Sequence, residues 1–212
     1  MLGNAGEDTV VPEGFVALAD AVPGVVLEAR YAGANNFTGA PVPGYEHGVL
    51  LLSRPAATAL AAVAESLAPV GLGLKILDAY RPQRAVDHFL HWTTLPDDPV
   101  SKARYYPRLE KSELFARGYL VRQSSHSRGS TVDLTLVDLP GGEQLDMGGI
   151  FDFFDPCSRP DCPHASAAQR ANRWLLRTVM ERHGFEPLAE EWWHFTLRDE
   201  PWPDTIFDFV PR

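Results

Sequence analysis

Two short segments of the chain carry residues that together could bind and use a metal ion. One runs from residue 124 to 133 and reads Ser-Ser-His-Ser-Arg-Gly-Ser-Thr-Val-Asp; the other is Glu-Trp-Trp-His at residues 191–194. A hydrolytic zinc site uses three protein ligands, keeps a fourth position open for water, and needs a group that takes the water's proton. We expect one metal ion with three ligands and one base, namely His126, Asp133, His194 and Glu191.

The spacing of these residues predicts how they meet. Alternating apolar and polar residues from 130 to 137 indicate a half-buried strand with Asp133 on its polar side. Gly129 allows the preceding loop to fold back, because glycine tolerates a positive φ. His194 would arrive from a neighbouring strand. Glu191 lies three residues earlier, where strict alternation would point it to the opposite face, so we expect it at the start of the strand or in a bulge.

Each segment alone has a simpler interpretation. A single histidine flanked by serines is most often a surface residue, and Glu-Trp-Trp-His could be the edge of a core; only the two segments together suggest a site. The helical His-Glu-x-x-His signature and a Gly-x-Ser-x-Gly nucleophile motif are both absent from the sequence. The remaining histidines are expected to be structural or exposed: His47, His88, His91, His164 and His183.

The pattern of elements predicts an α+β fold with a mostly antiparallel central sheet flanked by helices. We expect strands at 25–31, 71–80, 130–137 and 193–197. Helices are expected at 53–67, 81–92 and 166–183, the last with Gly184 as its C-cap. The helix at 166–183 is indicated by residues at helical spacing, namely Trp174, Leu175, Thr178, Val179 and Arg182. Residues 94–118 mix proline, charge and aromatics and give no assignment, and the whole chain 1–212 is expected to form a single domain.

Composition excludes some classes of partner. The 212 residues are 45% hydrophobic and 22% charged, with a net charge of −9 and no basic run, which argues against nucleic acid. No apolar run reaches the roughly 20 residues of a membrane span, and the N-terminus lacks the pattern of a secretory signal. We therefore expect a cytoplasmic protein without a membrane partner. The sequence leaves open whether it forms a homodimer.

The two cysteines allow three interpretations. Cys157 and Cys162 lie in a proline-rich loop that ends at His164. They could form a disulfide, which a reducing cytosol disfavours. They could join His164 in a second zinc site, although a structural site wants four ligands. The favoured interpretation is two free thiols in a loop.

The sequence resembles the D-alanyl-D-alanine dipeptidases of the type associated with vancomycin resistance. These are zinc peptidases related to D-Ala-D-Ala carboxypeptidases, with a hedgehog-like fold. The resemblance covers roughly residues 25–200 and rests on both segments above and on three others. These are Asp-Ala-Tyr-Arg-Pro at 78–82, Met-Gly-Gly-Ile-Phe-Asp-Phe-Phe-Asp at 147–155, and Arg-Tyr-Ala at 30–32 followed by Asn-Asn-Phe-Thr-Gly at 35–39. Thr131 departs from the family pattern, which usually has alanine there.

The resemblance implies further roles. Arg81 would stabilise the oxyanion that develops during hydrolysis, whereas the sequence alone favours an arginine paired with Asp78 or Asp87. Asp152 would pair with the ammonium group of a free dipeptide. Further contacts to this small D,D-dipeptide substrate would come from Ser124, Ser125, Tyr31 and Asn36. For Phe151, Phe153 and Phe154 we expect core packing for at least two of the three.

Three functions remain open from the sequence. The first is a cytoplasmic zinc dipeptidase that hydrolyses D-Ala-D-Ala and so depletes a cell-wall precursor, for resistance or for D-Ala salvage. The second is a zinc D,D-carboxypeptidase acting on peptidoglycan stem peptides, which would need an open cleft. The third is a non-catalytic zinc-binding module, against which the presence of both Glu191 and Arg81 argues.

Overall fold

A five-stranded sheet forms the centre of the protein, which is represented by a computed structural model that describes residues 10–212. The strands are β2 (Val26–Leu27), β4 (Leu72–Asp78), β5 (Thr131–Asp138), β6 (Phe185–Pro187) and β7 (His194–Leu197). Their order is β2-β4-β5-β7-β6. Only β2 and β4 pair in parallel; the other pairs are antiparallel. The predicted α+β fold with a mostly antiparallel sheet is confirmed.

A small second sheet and six helices surround the central sheet in the described part of the chain. The second sheet pairs β1 (Phe15–Ala17) with β3 (Leu51–Ser53) in antiparallel orientation. The helices are α1 (Leu18–Ala21), α2 (Arg54–Leu67), α3 (Gln83–Trp92), α4 (Pro99–Tyr105), α5 (Lys111–Ala116) and α6 (Ala167–Arg182). Short 3-10 turns cover Arg30–Ala32, Ala68–Val70, Ser125–Arg128 and Pro156–Ser158.

The predicted helix at 53–67 is confirmed, and its boundaries have a local cause. The Ser53 side chain accepts a hydrogen bond from the backbone N–H of Ala56, and Pro55 lies in the first turn, where a missing N–H costs nothing. The buried face carries Ala56, Leu60, Val63 and Leu67, at the three- and four-residue spacing of an amphipathic helix.

Helix α6 is confirmed at the predicted position. Its buried residues are Arg173, Leu176, Val179 and Met180, whereas Trp174 and Leu175 are 61% and 40% exposed. The buried face is hard to recognise from the sequence because it includes an arginine, a residue type that is mostly exposed, next to an exposed tryptophan.

Strand β5 is confirmed in position, but it is not half-buried. Seven of its eight residues are buried, and only Asp138 at its end is exposed. The strand is central, between β4 and β7, so both of its faces are covered. Its polar residues Asp133 and Thr135 are therefore inside the protein.

Two other segments differ from the sequence-based expectation. The early strand predicted at 25–31 is only Val26–Leu27, and Arg30–Ala32 forms a 3-10 turn. The unassigned residues 94–118 contain α4 and α5. Helix α4 begins with Asp98 as its cap, and α5 with a capping box between Glu110 and Glu113.

The C-terminal residues pack beside the strand end that leads to α3. Tyr80 Oη donates to the carbonyl of Phe209 at 3.1 Å and accepts from its N–H at 2.9 Å. The rings of Tyr80 and Phe209 stack at 4.3 Å, and the Phe15 ring packs against both. The backbone N–H of Phe207 donates to the carbonyl of Ser127 at 2.9 Å, so this segment supports the turn that carries His126.

No helix within residues 10–212 is both long enough and apolar enough to cross a membrane. The prediction that the N-terminus lacks a signal concerns residues 1–9, which lie outside the described residues.

Candidate active site

Strand pairing and one tight turn bring His126, Asp133 and His194 together. Asp133 on β5 is directly opposite His194 on β7. On its other side it is paired with Asp78 of β4, next to an irregularity in the register. His126 lies in the 3-10 turn Ser125–Arg128, which ends at Gly129 with φ of +83°. The expected fold-back at this glycine is confirmed.

The three side chains have the spacing of a tetrahedral metal site. His126 Nε2 is 3.2 Å from Asp133 Oδ2 and 3.3 Å from His194 Nδ1, and His194 Nδ1 is 3.1 Å from Asp133 Oδ1. A tetrahedral ion with ligand bonds of about 2.0–2.2 Å places neighbouring donor atoms about 3.3–3.6 Å apart. Within residues 10–212 these three form the one cluster of three or more such side chains that could hold a metal ion.

The opposite ring nitrogens of both histidines have partners that orient the rings. His126 Nδ1 is 2.7 Å from the carbonyl oxygen of Ala79, which can only accept, so Nδ1 carries the proton and Nε2 is free to ligate. His194 Nε2 is 3.3 Å from Ser125 Oγ, which leaves Nδ1 toward the cluster. Such outer partners fix the tautomer of a metal-binding histidine.

Asp133 is a buried carboxylate beside both histidine rings. Its Oδ1 lies 3.1 Å from His194 Nδ1 but accepts no hydrogen bond of good geometry. Burial alone would raise the pKa of Asp133, but the charge and hydrogen bonding of His126 and His194 hold it well below its usual range. A buried, ionised carboxylate with an unpartnered oxygen fits a bound cation, so the donor set is suited to a divalent metal.

Glu191 lies just before β7, as expected for the start of the strand. Its Oε2 is 3.7 Å from His194 Nδ1, and its side chain is 12% exposed. Burial raises the pKa of Glu191 to about 8; the charge of His194 lowers it, and those of Asp133 and Asp152 raise it further. A carboxyl group beside the metal cluster with a raised pKa has the features of a general acid–base.

Arg81 is paired with Asp78 and also lies beside the cluster. Its Nε and Nη2 both donate to Asp78 Oδ2, at 2.9 and 2.8 Å, so the expected pairing with Asp78 is present. Asp78 itself is fully buried and also accepts from Tyr45 Oη at 2.7 Å. The same guanidinium lies 3.7 Å from Asp133 Oδ2, so its fixed positive charge borders the metal cluster.

Asp152 is held by Tyr31 on the other side of the cavity. Tyr31 Oη donates to Asp152 Oδ2 at 2.9 Å, and both residues are buried. Asp152 has φ of +60°, the one positive φ of a non-glycine residue in the described part of the chain. Burial, followed by the charge of Asp133, raises the pKa of Asp152 to about 7. A nearby cationic group would therefore stabilise its ionised form.

One cavity of about 320 Å³ is lined by every predicted site residue except Asn36. Asn36 is buried in its own loop, where its amide donates to the carbonyls of Arg30, Gly33 and Ala40. Its oxygen accepts from Thr38. These contacts hold Asn36 within its own loop, and it does not line this cavity, so its substrate contact stays a prediction without structural support.

Both serines line the cavity but also support the histidines. Ser124 Oγ accepts from the backbone N–H of His126 at 3.3 Å, and Ser125 Oγ contacts the His194 ring. The cavity also has apolar walls that the sequence did not indicate, from Phe37, Tyr119, Leu120, Phe154 and Leu188. Tyr119 and Leu120 follow the segment without clear periodicity, so no pattern marked them. Of the three phenylalanines, Phe151 and Phe154 are buried as expected.

The two cysteines lie outside this cavity. Cys157 and Cys162 are free thiols with their Sγ atoms 2.8 Å apart. They do not form a metal cluster with His164 among the residues that the structure describes. The structure agrees with the favoured interpretation of two free thiols in a loop.

Comparison with known proteins covers almost the whole chain. A family model described as D-ala-D-ala dipeptidase matches residues 12–211. A D-alanyl-D-alanine dipeptidase of Enterococcus faecalis is 46% identical over 93% of this chain and 98% of its own length. One of Streptomyces coelicolor is 46% identical over 92% and 96%, and one of Escherichia coli is 37% identical over 86% and 84%. The matched region includes the entire site described above.

Structural similarity adds little. A crystal structure of a vancomycin resistance D,D-pentapeptidase mutant with Zn(II) aligns with 70% of this chain and 74% of its own. The sequence identity is 13% and the TM-score 0.43, which is too low to carry a conclusion.

Proposed function

The chain belongs to the D-Ala-D-Ala dipeptidase family, and we propose that it hydrolyses the free dipeptide D-Ala-D-Ala to two molecules of D-Ala with one zinc ion per chain. One observation carries the proposal. The His-Asp-His cluster, a buried glutamate, a fixed arginine and a buried aspartate face a single cavity of about 320 Å³. This volume is at the small end of the roughly 300–1,000 Å³ of ligand pockets, which suits a dipeptide.

Zinc is proposed to be held by His126, Asp133 and His194. The spacing of their donor atoms and the unpartnered oxygen of Asp133 support this assignment. When bound in such a site, zinc supplies polarisation of the scissile carbonyl and lowers the pKa of a water molecule.

Glu191 is proposed as the acid–base. Its Oε2 lies 3.7 Å from His194 Nδ1, and unlike Asp78, the other carboxyl group beside the cluster, it is not engaged by Arg81. It would accept a proton from the attacking water and deliver that proton to the nitrogen of the leaving D-Ala. Its side chain is nearly buried, which keeps competing water away from the proton.

Arg81 is proposed to stabilise the negative charge that develops on the carbonyl oxygen. The double hydrogen bond to Asp78 fixes its guanidinium before substrate arrives. The charge is therefore already oriented when the oxyanion forms, and losing one such donor typically lowers the rate by about 10²–10³-fold.

Asp152 is proposed to bind the ammonium group of the substrate. Its carboxylate is presented to the cavity by Tyr31 and is buried, so an ammonium would be a favourable partner. Ser124, Ser125 and Tyr31 are proposed as additional substrate contacts. Stem peptides lack a free ammonium at this position, so the pairing would favour the free dipeptide.

The biological role is proposed from this specificity. Removing D-Ala-D-Ala would leave cell-wall precursors to be built with another terminus, to which vancomycin-type antibiotics bind poorly, or would recover D-Ala. A cytoplasmic location is part of the proposal, since the free dipeptide is a precursor.

The test is D-Ala release from three substrates by zinc-loaded protein. We expect release from D-Ala-D-Ala, little from L-Ala-L-Ala, and little from an N-acylated D-Ala-D-Ala peptide. Chelation of the metal should stop the reaction, and adding zinc should restore it. A preference for the acylated peptide would identify a D,D-carboxypeptidase instead. Absence of release from all three, with zinc bound, would contradict the proposed function.

A further inference from the structure

We propose that Arg173 is a positioning residue that fixes the loop carrying Asp152 and thereby sets the affinity for the substrate ammonium. This loop, residues 146–159, is named the Asp152 loop. The inference rests on the proposed function for its consequence in catalysis. Its structural part, that one buried guanidinium fixes the loop, is independent of it.

Arg173 is buried to an unusual degree for an arginine. It lies on the inner face of α6 and is 1% exposed. No ion pair of Arg173 is present in the described part of the chain, and burial lowers the pKa of its guanidinium. Burying a cation without a carboxylate is costly unless its N–H groups are hydrogen-bonded. Nη2 is buried without a hydrogen-bond partner, so the hydrogen bonds of Nε and Nη1 must compensate.

Those hydrogen bonds all go to backbone carbonyls of the Asp152 loop. Arg173 Nε donates to the carbonyl of Met147 at 2.6 Å. Nη1 donates to the carbonyls of Cys157 and Arg159, at 2.9 and 2.7 Å. The first acceptor is near the beginning of the loop and the other two are near its end, so one side chain joins the two ends. Such a closure removes conformational entropy that the loop would otherwise keep.

The loop needs this support because it holds Asp152 in an unfavourable backbone conformation. Asp152 has φ of +60°, a conformation that is unfavourable for residues other than glycine and persists only when surrounding contacts impose it. The other contacts from α6 to the loop, by Gln169 and Asn172, reach only Asp146 at its beginning. Arg173 is thus the α6 residue that also holds the loop's end.

The end of the loop also contacts the segment that carries the proposed base. The backbone N–H of Trp192 donates to the carbonyl of Ser158 at 2.9 Å, between the two carbonyls that bind Arg173 Nη1. Trp192 directly follows Glu191. The Glu191 segment is also held by a hydrogen bond from the Leu188 N–H to the His194 carbonyl at 3.0 Å, so loss of the anchor should affect Asp152 more than Glu191.

Lysine could not replace this arginine. Three carbonyls are bound by two nitrogens of a planar guanidinium, whose donor directions are fixed, whereas an ammonium offers donors at one point only. Arg173→Lys keeps the charge and most of the volume but cannot reach both ends of the loop.

The test compares Arg173→Lys and Arg173→Leu with a control on the same helix, Arg177→Leu. Arg177 is one turn further on, half-exposed and paired with Glu181. We expect both Arg173 variants to raise KM for D-Ala-D-Ala about tenfold while kcat changes much less, since ground-state binding is what is lost. KM for the N-acylated peptide, which has no ammonium, should not change. The control should match the wild type.

A second measurement does not depend on turnover. In amide hydrogen exchange, residues 147–159 should exchange faster in both Arg173 variants, while β4 and β5 stay protected as in the wild type. Unchanged exchange in the loop, or equal changes in KM for both substrates, would overturn the inference. If the wild type hydrolyses neither substrate, the proposed function has failed, and loop exchange alone then decides whether Arg173 is the anchor. The lysine variant keeps the test valid if the leucine variant does not fold.

Discussion

His126 and His194 face the metal cluster through different ring nitrogens. His126 uses Nε2 because its Nδ1 proton is donated to Ala79, and His194 uses Nδ1 with Ser125 beside its Nε2. The two histidines therefore depend on different supports: one on a backbone carbonyl, which mutation of Ala79 would not remove, and the other on a replaceable hydroxyl. The role proposed for Ser125 thus includes orientation of a ligand as well as contact with substrate.

Replacing the proposed base should separate metal binding from turnover. In Glu191→Gln we expect the zinc content to remain at one per chain, because Glu191 is not one of the three clustered residues. We expect kcat to fall about 10²–10⁴-fold, the usual contribution of acid–base catalysis. Elemental analysis and D-Ala release measure the two quantities. Glu190→Gln, at the neighbouring and more exposed carboxylate, is the control, and activity of Glu191→Gln near that of this control would contradict the assignment.

Removing the charge of Asp152 should change which substrate is preferred. In Asp152→Asn, Tyr31 can still donate to the side-chain oxygen, so the geometry is kept while the negative charge is lost. We expect KM for D-Ala-D-Ala to rise at least about tenfold, since a charge-assisted hydrogen bond is replaced by a neutral one. KM for the N-acylated peptide should stay the same. A parallel rise for both substrates would mean that Asp152 does not recognise the ammonium.

At the scale of elements, the sequence predicted best where local signals were complete. Helix α2 has its serine cap, its early proline and a regular apolar stripe, and its bounds were predicted closely. Asp133 could be assigned to a strand because it lies within the alternating pattern at 130–137. His194 could be assigned to another because it lies near the start of the strand-like segment at 193–197. The prediction failed where tertiary contacts decide: the inner face of α6 carries Arg173, and β5 buries its polar face as well as its apolar face. The loop hydrogen bonds of Asn36 were not predicted, because no periodicity reveals the shape of that loop.

The turn before β5 provides a test of how tightly the His126 segment is held. Gly129 has φ of +83°, and a Cβ at this position would be 2.4 Å from the ring of Phe15. Gly129→Ala should lower the free energy of unfolding by roughly 1–3 kcal/mol through strain and overpacking and should weaken zinc binding. Chemical denaturation and metal titration measure the two effects.

Gly24→Ala is a matched control for this turn. Gly24 has a similar φ of +77°, but nothing lies within 4 Å of a Cβ there. Gly24→Ala should therefore lower the free energy of unfolding only by the cost of a positive φ, without a contribution from overpacking. If Gly129→Ala were no more destabilising than Gly24→Ala and retained full zinc affinity, close packing of the turn on Phe15 would not matter for the site.

At the scale of the whole molecule, Tyr80 joins the sheet to the C-terminal residues. Its hydroxyl both donates to and accepts from the backbone of Phe209. Tyr80→Phe leaves these two backbone groups without that partner, and we expect a loss of about 1–3 kcal/mol in the free energy of unfolding. Tyr105→Phe is the control, because the Tyr105 hydroxyl is buried without a hydrogen-bond partner, so its removal should be neutral or stabilising. Equal effects of the two changes would show that the Phe209 contact contributes nothing.

The hydrogen bond from Phe207 to Ser127 has a consequence for how the protein acquires its metal. During synthesis, His126 and Asp133 leave the ribosome well before His194 on β7. Phe207, which supports the turn that carries His126, leaves it later still. Contacts between residues far apart in sequence form late in folding. A growing chain therefore exposes two of the three proposed ligands before the third exists, and capture of the proposed zinc ion would be one of the last steps of biosynthesis.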